Sequence, residues 1–138
     1  MNKSWIANGF TAANALFGGL SIMMSISGEY HVAAICILIA MAADAFDGRV
    51  ARALGTAGPM GVELDSLSDD ISFGVAAGAL MYSYQLRELG ALGFIPCALL
   101  GAFCAFRLAR FNVKVTSVHG YFEGLPCPTV GVIIACYV

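Results

Sequence analysis

Long apolar runs separated by short polar segments dominate the chain and predict a bundle of membrane-spanning helices. A spanning helix needs about 20 mostly apolar residues. Four runs reach that length, at about residues 5–26, 32–54, 61–84 and 92–111. A final run, residues 129–138, is too short to cross a bilayer. We therefore predict an all-α, polytopic transmembrane bundle of about four to five helices, forming a single domain over residues 1–138 that is truncated at its C-terminal end.

Basic residues flank the apolar runs unequally, and this bias predicts the orientation of the bundle. If the N-terminus is cytoplasmic, Arg87 alone lies on the outer side. The other basic residues then lie on the inner side: Lys3, Arg49, Arg52, Arg107, Arg110 and Lys114. The chain is 59% hydrophobic and 12% charged, which is far too apolar for an ordinary soluble domain. We expect an integral protein of the inner or plasma membrane with a cytoplasmic N-terminus, and no nucleic-acid partner.

The charged residues that can carry chemistry are concentrated in the middle of this apolar pattern. Every aspartate of the chain lies between residues 44 and 70, and carboxylates beside membrane helices are costly unless they bind something. Helical residues advance by roughly 100° each, so Asp47, Gly48 and Ala51 fall within about 60° of Asp44. One stripe of this helix therefore carries two carboxylates and two residues with almost no side chain. Arg52, about 80° from Asp44, is available to neutralise phosphate oxygens.

A second acidic stripe follows after a glycine-rich turn. Gly61, Asp65 and Asp69 follow one another at intervals of four and share a helix face. If the two stripes face each other, their carboxylates surround one cavity. Hard divalent cations such as Mg²⁺ or Mn²⁺ need oxygen ligands from several directions, and the small residues let a phosphate-bearing ligand approach the backbone. The two stripes therefore predict a metal site, near the cytoplasmic surface, that takes a phosphate-bearing ligand.

Three polar residues interrupt the first apolar run. Asn8, Thr11 and Asn14 follow one another at intervals of three, which keeps them on one side of a helix. They either cap the helix and hydrogen-bond to neighbouring helices, or they contact a ligand. The sequence leaves both explanations open.

The central stretch resembles the signature of the CDP-alcohol phosphotransferase family, D-x-x-D-G-x-x-A-R, eight residues, then G-x-x-x-D-x-x-x-D. Every specified position is matched: Asp44, Asp47, Gly48, Ala51, Arg52, Gly61, Asp65 and Asp69. The flanks are similar to the CDP-diacylglycerol-serine O-phosphatidyltransferase branch of that family at residues 8–14, 64–69, 72–74, 106–112 and 124–128. The resemblance thus covers most of the chain.

The resemblance implies a six-helix membrane fold, a homodimer and a site for two divalent cations, Mg²⁺ or Mn²⁺, open to the cytoplasm and to the lipid. Asp44, Asp47 and Asp65 would be metal ligands. Asp69 would contact the second metal and take the proton from the incoming alcohol. The cytidine diphosphate pocket would be formed by small and polar residues: Asn8, Thr11, Gly48, Ala51, Arg52 and Gly61.

The reaction that the resemblance implies is transfer of a phosphatidyl group from CDP-diacylglycerol to the hydroxyl of L-serine, giving phosphatidylserine and CMP. For the serine carboxylate we predict Arg107 and Arg110, three residues apart on one helix face, with Asn112 as a helper. The alternative is that these arginines mark a cytoplasmic helix end and meet lipid phosphates.

Other functions remain open at this point. Within the family, the acceptor is alternatively glycerol phosphate or inositol phosphate, or the donor is an archaeal-type lipid. Outside enzymes, a divalent-cation transporter also places carboxylates in the membrane, but it predicts acids toward both membrane faces, whereas here they collect at one. Asp70 and Glu63 fall on other faces of the second acidic helix, so we predict that both lie outside the metal-binding set.

Overall fold

The structure, a computed structural model, describes residues 4–54, 58–115 and 127–138, and these residues form helices joined by short turns. The α-helices are α1 (Ser4–Ser27), α2 (Tyr30–Leu54), α3 (Pro59–Asp69), α4 (Ala76–Tyr84), α5 (Ala91–Val115) and α6 (Cys127–Tyr137). A π-helical segment, Asp70–Val75, joins α3 to α4, and a short 3-10 helix, Leu86–Leu89, precedes α5. Because α3, the π-helical segment and α4 are continuous, we call them together the third pass. The all-α fold class is confirmed.

The helix ends follow from the local sequence. α1 and α2 are joined at Gly28, whose φ of 85° lies in the left-handed region that favours glycine. Two helices begin earlier than predicted. α3 starts at Pro59 and not near Gly61, and α6 starts at Cys127, before Pro128 and the predicted start at residue 129. Proline in the first helical turn loses no intrahelical hydrogen bond, so both prolines belong to the helix and do not interrupt it.

The π-helical segment differs from the prediction made from the apolar pattern, which was an uninterrupted α-helix through residues 61–84. The N–H of Ala76 donates to the carbonyl oxygen of Ile71, five residues earlier. Ser72, Phe73 and Gly74 within the segment are buried. A π turn accommodates one extra residue, which an apolar pattern does not reveal, and such turns are frequent near functional sites.

Contacts at the two ends of the bundle indicate that successive passes run in opposite directions. At one end, the ring of Phe10 lies beside that of Phe46, with centroids 6.4 Å apart. At the other end, the ring of Tyr84 contacts those of Tyr30 and Tyr137, with centroids 5.6 and 6.2 Å away. The start of α1, the second half of α2 and the start of α3 therefore share one end, which we call the aspartate end. The tyrosines mark the opposite end.

Many large apolar side chains face outward, whereas the interior is rich in small and polar side chains around a few large ones such as Phe73. Phe106, Leu92 and Met23 are 76%, 71% and 63% exposed. The interior instead holds several alanines and a set of buried polar side chains: Asn14, Ser21, Ser25, Ser68 and Ser72. A surface of this kind is stable against lipid and unfavourable in water.

The helix lengths, like the apolar surface, fit a chain that crosses a membrane. Among the described residues, two helices are long and apolar enough to cross a membrane, Asn8–Ser27 and Ala91–Val113. Shorter apolar stretches occupy Tyr30–Phe46 in α2 and Cys127–Tyr137 in α6. In α2, Asp44 lies near the end of this apolar stretch and Asp47 just after it, and the third pass carries the other aspartates. With its outward apolar surface, the chain is a membrane protein.

Close backbone contact between α4 and α5 predicts a stability effect at one glycine. A Cβ added to Gly78 would lie 2.7 Å from the carbonyl oxygen of Cys97, a main-chain atom that cannot rotate away. Gly78→Ala should therefore destabilise the fold by about 1–3 kcal/mol, measured as a lower midpoint of thermal unfolding in detergent. Gly19→Ala is the control, because nothing lies within 4 Å of its added Cβ. Equal midpoints for the two variants would contradict the close packing.

Candidate metal centre

Asp44 of α2 meets Asp65 and Asp69 of α3 at the aspartate end. One carboxylate oxygen from each lies within 4.8 Å of the other two. Asp69 is buried, whereas Asp44 and Asp65 are half-buried. The spacing of four residues puts Asp65 and Asp69 on one face of α3, the face that meets Asp44. We call these three residues the aspartate group. It contains three of the four aspartates predicted as metal ligands.

The aspartate group fits a divalent cation. Like charges this close repel one another, and the repulsion is strong where water is partly excluded. A bound cation removes that penalty, and carboxylate oxygens are the ligands that Mg²⁺ and Mn²⁺ prefer. Within the described part of the chain, no other group of three His, Cys, Asp or Glu side chains comes together in this way. The aspartate group is therefore the part of the site that would hold a metal ion.

Asp69 is also held from α1. Asn14 is fully buried, and its Nδ2 donates a hydrogen bond to Oδ1 of Asp69 at 3.1 Å. The carbonyl oxygen of Asn14 accepts a hydrogen bond from Oγ of Ser72 at 2.9 Å. The sequence left the role of Asn14 open; the signals were its spacing from Asn8 and Thr11 and its place in the family-like stretch of residues 8–14. The contact with Asp69 joins residues 55 positions apart, which no local pattern reveals.

Three residues predicted for the nucleotide pocket lie near the aspartate end. Asn8 is half-buried, and a Cβ added to Gly61 would lie 3.9 Å from its Oδ1. Thr11 is buried about one turn further along α1. Their roles in binding a nucleotide stay predictions.

The other predicted site residues of α2 follow Asp44. The helix continues through Leu54, but the side chains of four residues lie outside the described part of the structure: Asp47, Gly48, Ala51 and Arg52. The metal-ligand role of Asp47 and the nucleotide-pocket roles of the other three therefore stay predictions.

The residues predicted to bind serine lie near the end of α5 and differ in exposure. Nδ2 of Asn112 donates to Oγ of Ser66 on α3 at 3.0 Å. Arg107 is half-buried, and its Nη1 lies 3.8 Å from Sγ of Cys127 at the start of α6. Arg110 is exposed. The structure therefore brings Asn112 to α3 and Arg107 to α6, and leaves Arg110 on the surface.

Asp70 is not one of the aspartate group and lies against α5. A Cβ added to Gly74 would lie 2.7 Å from Oδ1 of Asp70 and 3.1 Å from Cβ of Cys104. The Asp70 carboxylate is therefore packed between the third pass and α5. Its Oδ1 is buried and has no hydrogen-bond partner among the described residues.

Comparison with known proteins relates the site to a family. The sequence model of the CDP-alcohol phosphatidyltransferase family matches residues 4–138. The chain is 38% identical over 128 residues to a CDP-diacylglycerol–serine O-phosphatidyltransferase of Helicobacter pylori, covering 92% of this chain and 54% of that relative. It is 38% identical over 122 residues to the protein of the same name in Bacillus subtilis, covering 88% of this chain and 68% of the relative. It is 40% identical over 126 residues to an archaetidylserine synthase of Methanothermobacter thermautotrophicus, covering 90% of this chain and 53% of the relative.

The extent of these matches is uneven. The chain spans about half the length of the Helicobacter and Methanothermobacter relatives and 68% of the Bacillus one. No solved structure matches the chain.

The family generally depends on divalent metals, which agrees with the aspartate group. Because the family model covers residues 4–138, the chain belongs to the CDP-alcohol phosphatidyltransferase family.

Proposed function

We propose that the protein transfers a phosphatidyl group from CDP-diacylglycerol to the hydroxyl of L-serine, giving phosphatidylserine and CMP. The observation that carries the proposal is the aspartate group, in which one oxygen of each carboxylate lies within 4.8 Å of the others. The names of the Helicobacter and Bacillus relatives support serine as the acceptor. The aspartates thus account for the type of reaction, and the relatives for the choice of alcohol.

The transfer exchanges one phosphorus–oxygen bond for another. The serine oxygen bonds to the phosphorus of the phosphatidyl group, and the bond from that phosphorus to the bridging oxygen of the diphosphate breaks. The electron pair of the broken bond leaves with CMP, and the proton of the serine hydroxyl goes to Asp69. Two divalent cations, Mg²⁺ or Mn²⁺, would neutralise the diphosphate and stabilise the departing CMP when bound. Asp44, Asp65 and Asp69 would hold them, together with Asp47.

Asp69 is our choice of general base. A serine hydroxyl is a poor nucleophile at neutral pH, so a carboxylate has to lie beside it. Asp69 is only 8% exposed, which limits competition from water. Its hydrogen bond from Asn14 fixes one of its oxygens. Burial and a fixed orientation are what a base at this position requires.

Recognition of the serine carboxylate is assigned to Arg107, Arg110 and Asn112. A guanidinium matches a carboxylate in both charge and geometry. Arg107 has the stronger claim of the two arginines, because it is half-buried beside α6, whereas Arg110 is exposed. Asn112 is held by Ser66, the residue after Asp65 on α3.

Arg107→Ala is expected to raise the KM for serine by about 10–100-fold, because losing a hydrogen bond to a charged group costs about 1.5–3 kcal/mol. The KM for CDP-diacylglycerol should change little. Initial rates of labelled-lipid formation at varied serine concentration measure both constants. Arg110→Ala is the matched control, and its exposed side chain should have a smaller effect. If both variants keep the original KM for serine, the arginines do not bind the acceptor and the lipid-phosphate explanation stands.

We also propose that the aspartate end faces the cytoplasm. Arg49, Arg107 and Arg110 lie toward this end and Arg87 toward the other, and basic residues prefer the cytoplasmic side. Labelling of single introduced cysteines with a membrane-impermeant reagent tests the sidedness, and labelling of the aspartate end from outside intact cells would contradict it. The proposal includes a homodimer, which the molecular mass of the purified protein in detergent, measured by light scattering, tests.

The deciding experiment incubates the liposome-reconstituted protein with CDP-diacylglycerol, Mn²⁺ or Mg²⁺, and labelled serine. CMP and labelled lipid should appear together. Transfer to glycerol phosphate or inositol phosphate in preference to serine would overturn only the choice of serine as the acceptor. If no alcohol releases CMP, the protein is not this enzyme, and uptake of metal into the liposomes would then favour a cation transporter.

A second candidate is transfer of an archaetidyl group to serine. The 40% identity to the archaetidylserine synthase favours it. The same aspartates would serve, because the lipid portion of the donor is remote from the bond that breaks. Competition between CDP-diacylglycerol and CDP-archaeol in the same assay separates the candidates, since the physiological donor should have the higher kcat/KM.

A further inference from the structure

We infer that Asn14 is a positioning residue that fixes the carboxylate of Asp69 within the aspartate group. Asn14 lies on α1, a helix that contributes no carboxylate and lies outside the matched signature. The inference rests on the proposed function only through the role given to Asp69. It assigns to α1 a part in the metal site and not only in helix packing.

The contact between the two side chains is direct and buried. Nδ2 of Asn14 donates to Oδ1 of Asp69 at 3.1 Å, and the two residues are 0% and 8% exposed. An asparagine amide can present either its N–H or its oxygen, but only the N–H can pair with an ionised carboxylate, because two acceptors repel. The contact therefore suits an Asp69 that is ionised, as a metal ligand has to be.

A second hydrogen bond holds the main chain of Asn14. Oγ of Ser72 donates to its carbonyl oxygen at 2.9 Å, and Ser72 lies about one turn after Asp69 on the third pass. Gly18 allows this approach, since a Cβ at that position would overlap Oγ of Ser72. α1 thus holds both the Asp69 side chain and the next turn of its helix.

The other atom of the Asn14 amide indicates what the side chain is for. Oδ1 of Asn14 is buried and has no hydrogen-bond partner among the described residues. A buried polar atom without a partner lowers stability, and a leucine of similar shape would avoid that loss. The N–H contact with Asp69 explains a polar side chain at this position, whereas packing does not.

The hydrogen bond from Asn14 limits the orientation of the Asp69 carboxylate. An unrestrained carboxylate rotates about its last side-chain bond, whereas one anchored oxygen limits the plane of the group. Neighbours that orient metal ligands in this way typically change metal affinity by about 10–100-fold. Asn14 therefore sets how Asp69 faces Asp44 and Asp65.

The test compares Asn14→Leu with Ser21→Ala in the purified full chain. Ser21 is the matched control because it is fully buried on the same side of α1, and its Oγ donates to the carbonyl oxygen of Ala33 at 2.8 Å. Mn²⁺ binding is followed without turnover, as stabilisation against heat over a range of Mn²⁺ concentrations. We expect Asn14→Leu to need about 10–100-fold more Mn²⁺ than the unmodified protein. Ser21→Ala should need the same concentration, even if it unfolds at a lower temperature.

An unchanged Mn²⁺ requirement in Asn14→Leu would overturn the inference. If that variant does not fold, Ser72→Ala takes its place, because it keeps the amide and removes only the hydroxyl bound to the Asn14 carbonyl. Its requirement should rise in the same direction, and no rise would count against the inference equally. If the unmodified protein binds Mn²⁺ but releases no CMP, that result overturns the proposed function and not this inference. The Mn²⁺ titration still decides the role of Asn14.

Discussion

Asp69→Asn is expected to reduce turnover of CDP-diacylglycerol by about a thousandfold or more. A positioned general base contributes about 10²–10⁴-fold to such reactions, and this residue is also a proposed metal ligand. Asparagine keeps the shape of the side chain, and its amide oxygen can still accept the hydrogen bond from Asn14. It lacks the negative charge and the capacity to take the serine proton. Release of CMP in reconstituted liposomes measures the loss.

The adjacent carboxylate provides the control for this variant. Asp70 packs against Gly74 and Cys104 and not within the aspartate group, so Asp70→Asn should keep most of the activity. Binding of CDP-diacylglycerol to Asp69→Asn should remain measurable. Near-normal turnover by Asp69→Asn would remove its role as base, and equal losses in both variants would point to damage to the fold.

Removal of divalent cations is expected to stop turnover completely, and added Mn²⁺ or Mg²⁺ should restore it. The carboxylate oxygens of the aspartate group lie within 4.8 Å of one another, so without cations they present concentrated negative charge to a diphosphate. The measurement is CMP release after treatment with EDTA, dialysis and addition of each metal. Undiminished turnover in EDTA would exclude a metal-dependent reaction at this site.

Variants of the proposed metal-ligating aspartates connect that result to particular residues. Asp44→Asn and Asp65→Asn should each raise the half-saturating metal concentration by about tenfold or more. Glu29→Gln is the control, because Glu29 is an exposed acid in the turn between α1 and α2, at the tyrosine end. If all three variants need the same metal concentration, the cation that supports turnover binds elsewhere.

The aspartate group could be predicted from the sequence because its geometry follows from one local rule. Residues four apart share a helix face, which aligns Asp65 with Asp69. Only four residues separate Leu54 at the end of α2 from Pro59 at the start of α3, which keeps Asp44 near α3 along the chain. The apolar pattern likewise predicted the helices, because each is long enough to be read without its neighbours.

Features that depend on contact between distant helices could not be predicted in this way. The hydrogen bond from Asn14 to Asp69 depends on how α1 packs against the third pass, and the same polar spacing suits an ordinary packing residue. Arg107 and Arg110 have the same chemistry and share a helix face, yet they differ in the contact of Arg107 with α6 and in exposure. The π-helical segment leaves the apolar pattern unchanged, so the pattern does not reveal it.

The cluster of Tyr30, Tyr84 and Tyr137 also bears on how deep the aspartate group would lie in the membrane. Tyrosine rings are enriched at the boundary of the hydrocarbon, and the 15 residue steps from Asp69 to Tyr84 span about 22 Å at about 1.5 Å each. With a hydrocarbon core of about 30 Å and upright helices, the aspartate group would lie roughly 8 Å below the other boundary. A lipid could present its diphosphate to the carboxylates from the side while its chains stay among their neighbours. A water-soluble acceptor would have to descend about a quarter of the hydrocarbon thickness to meet it.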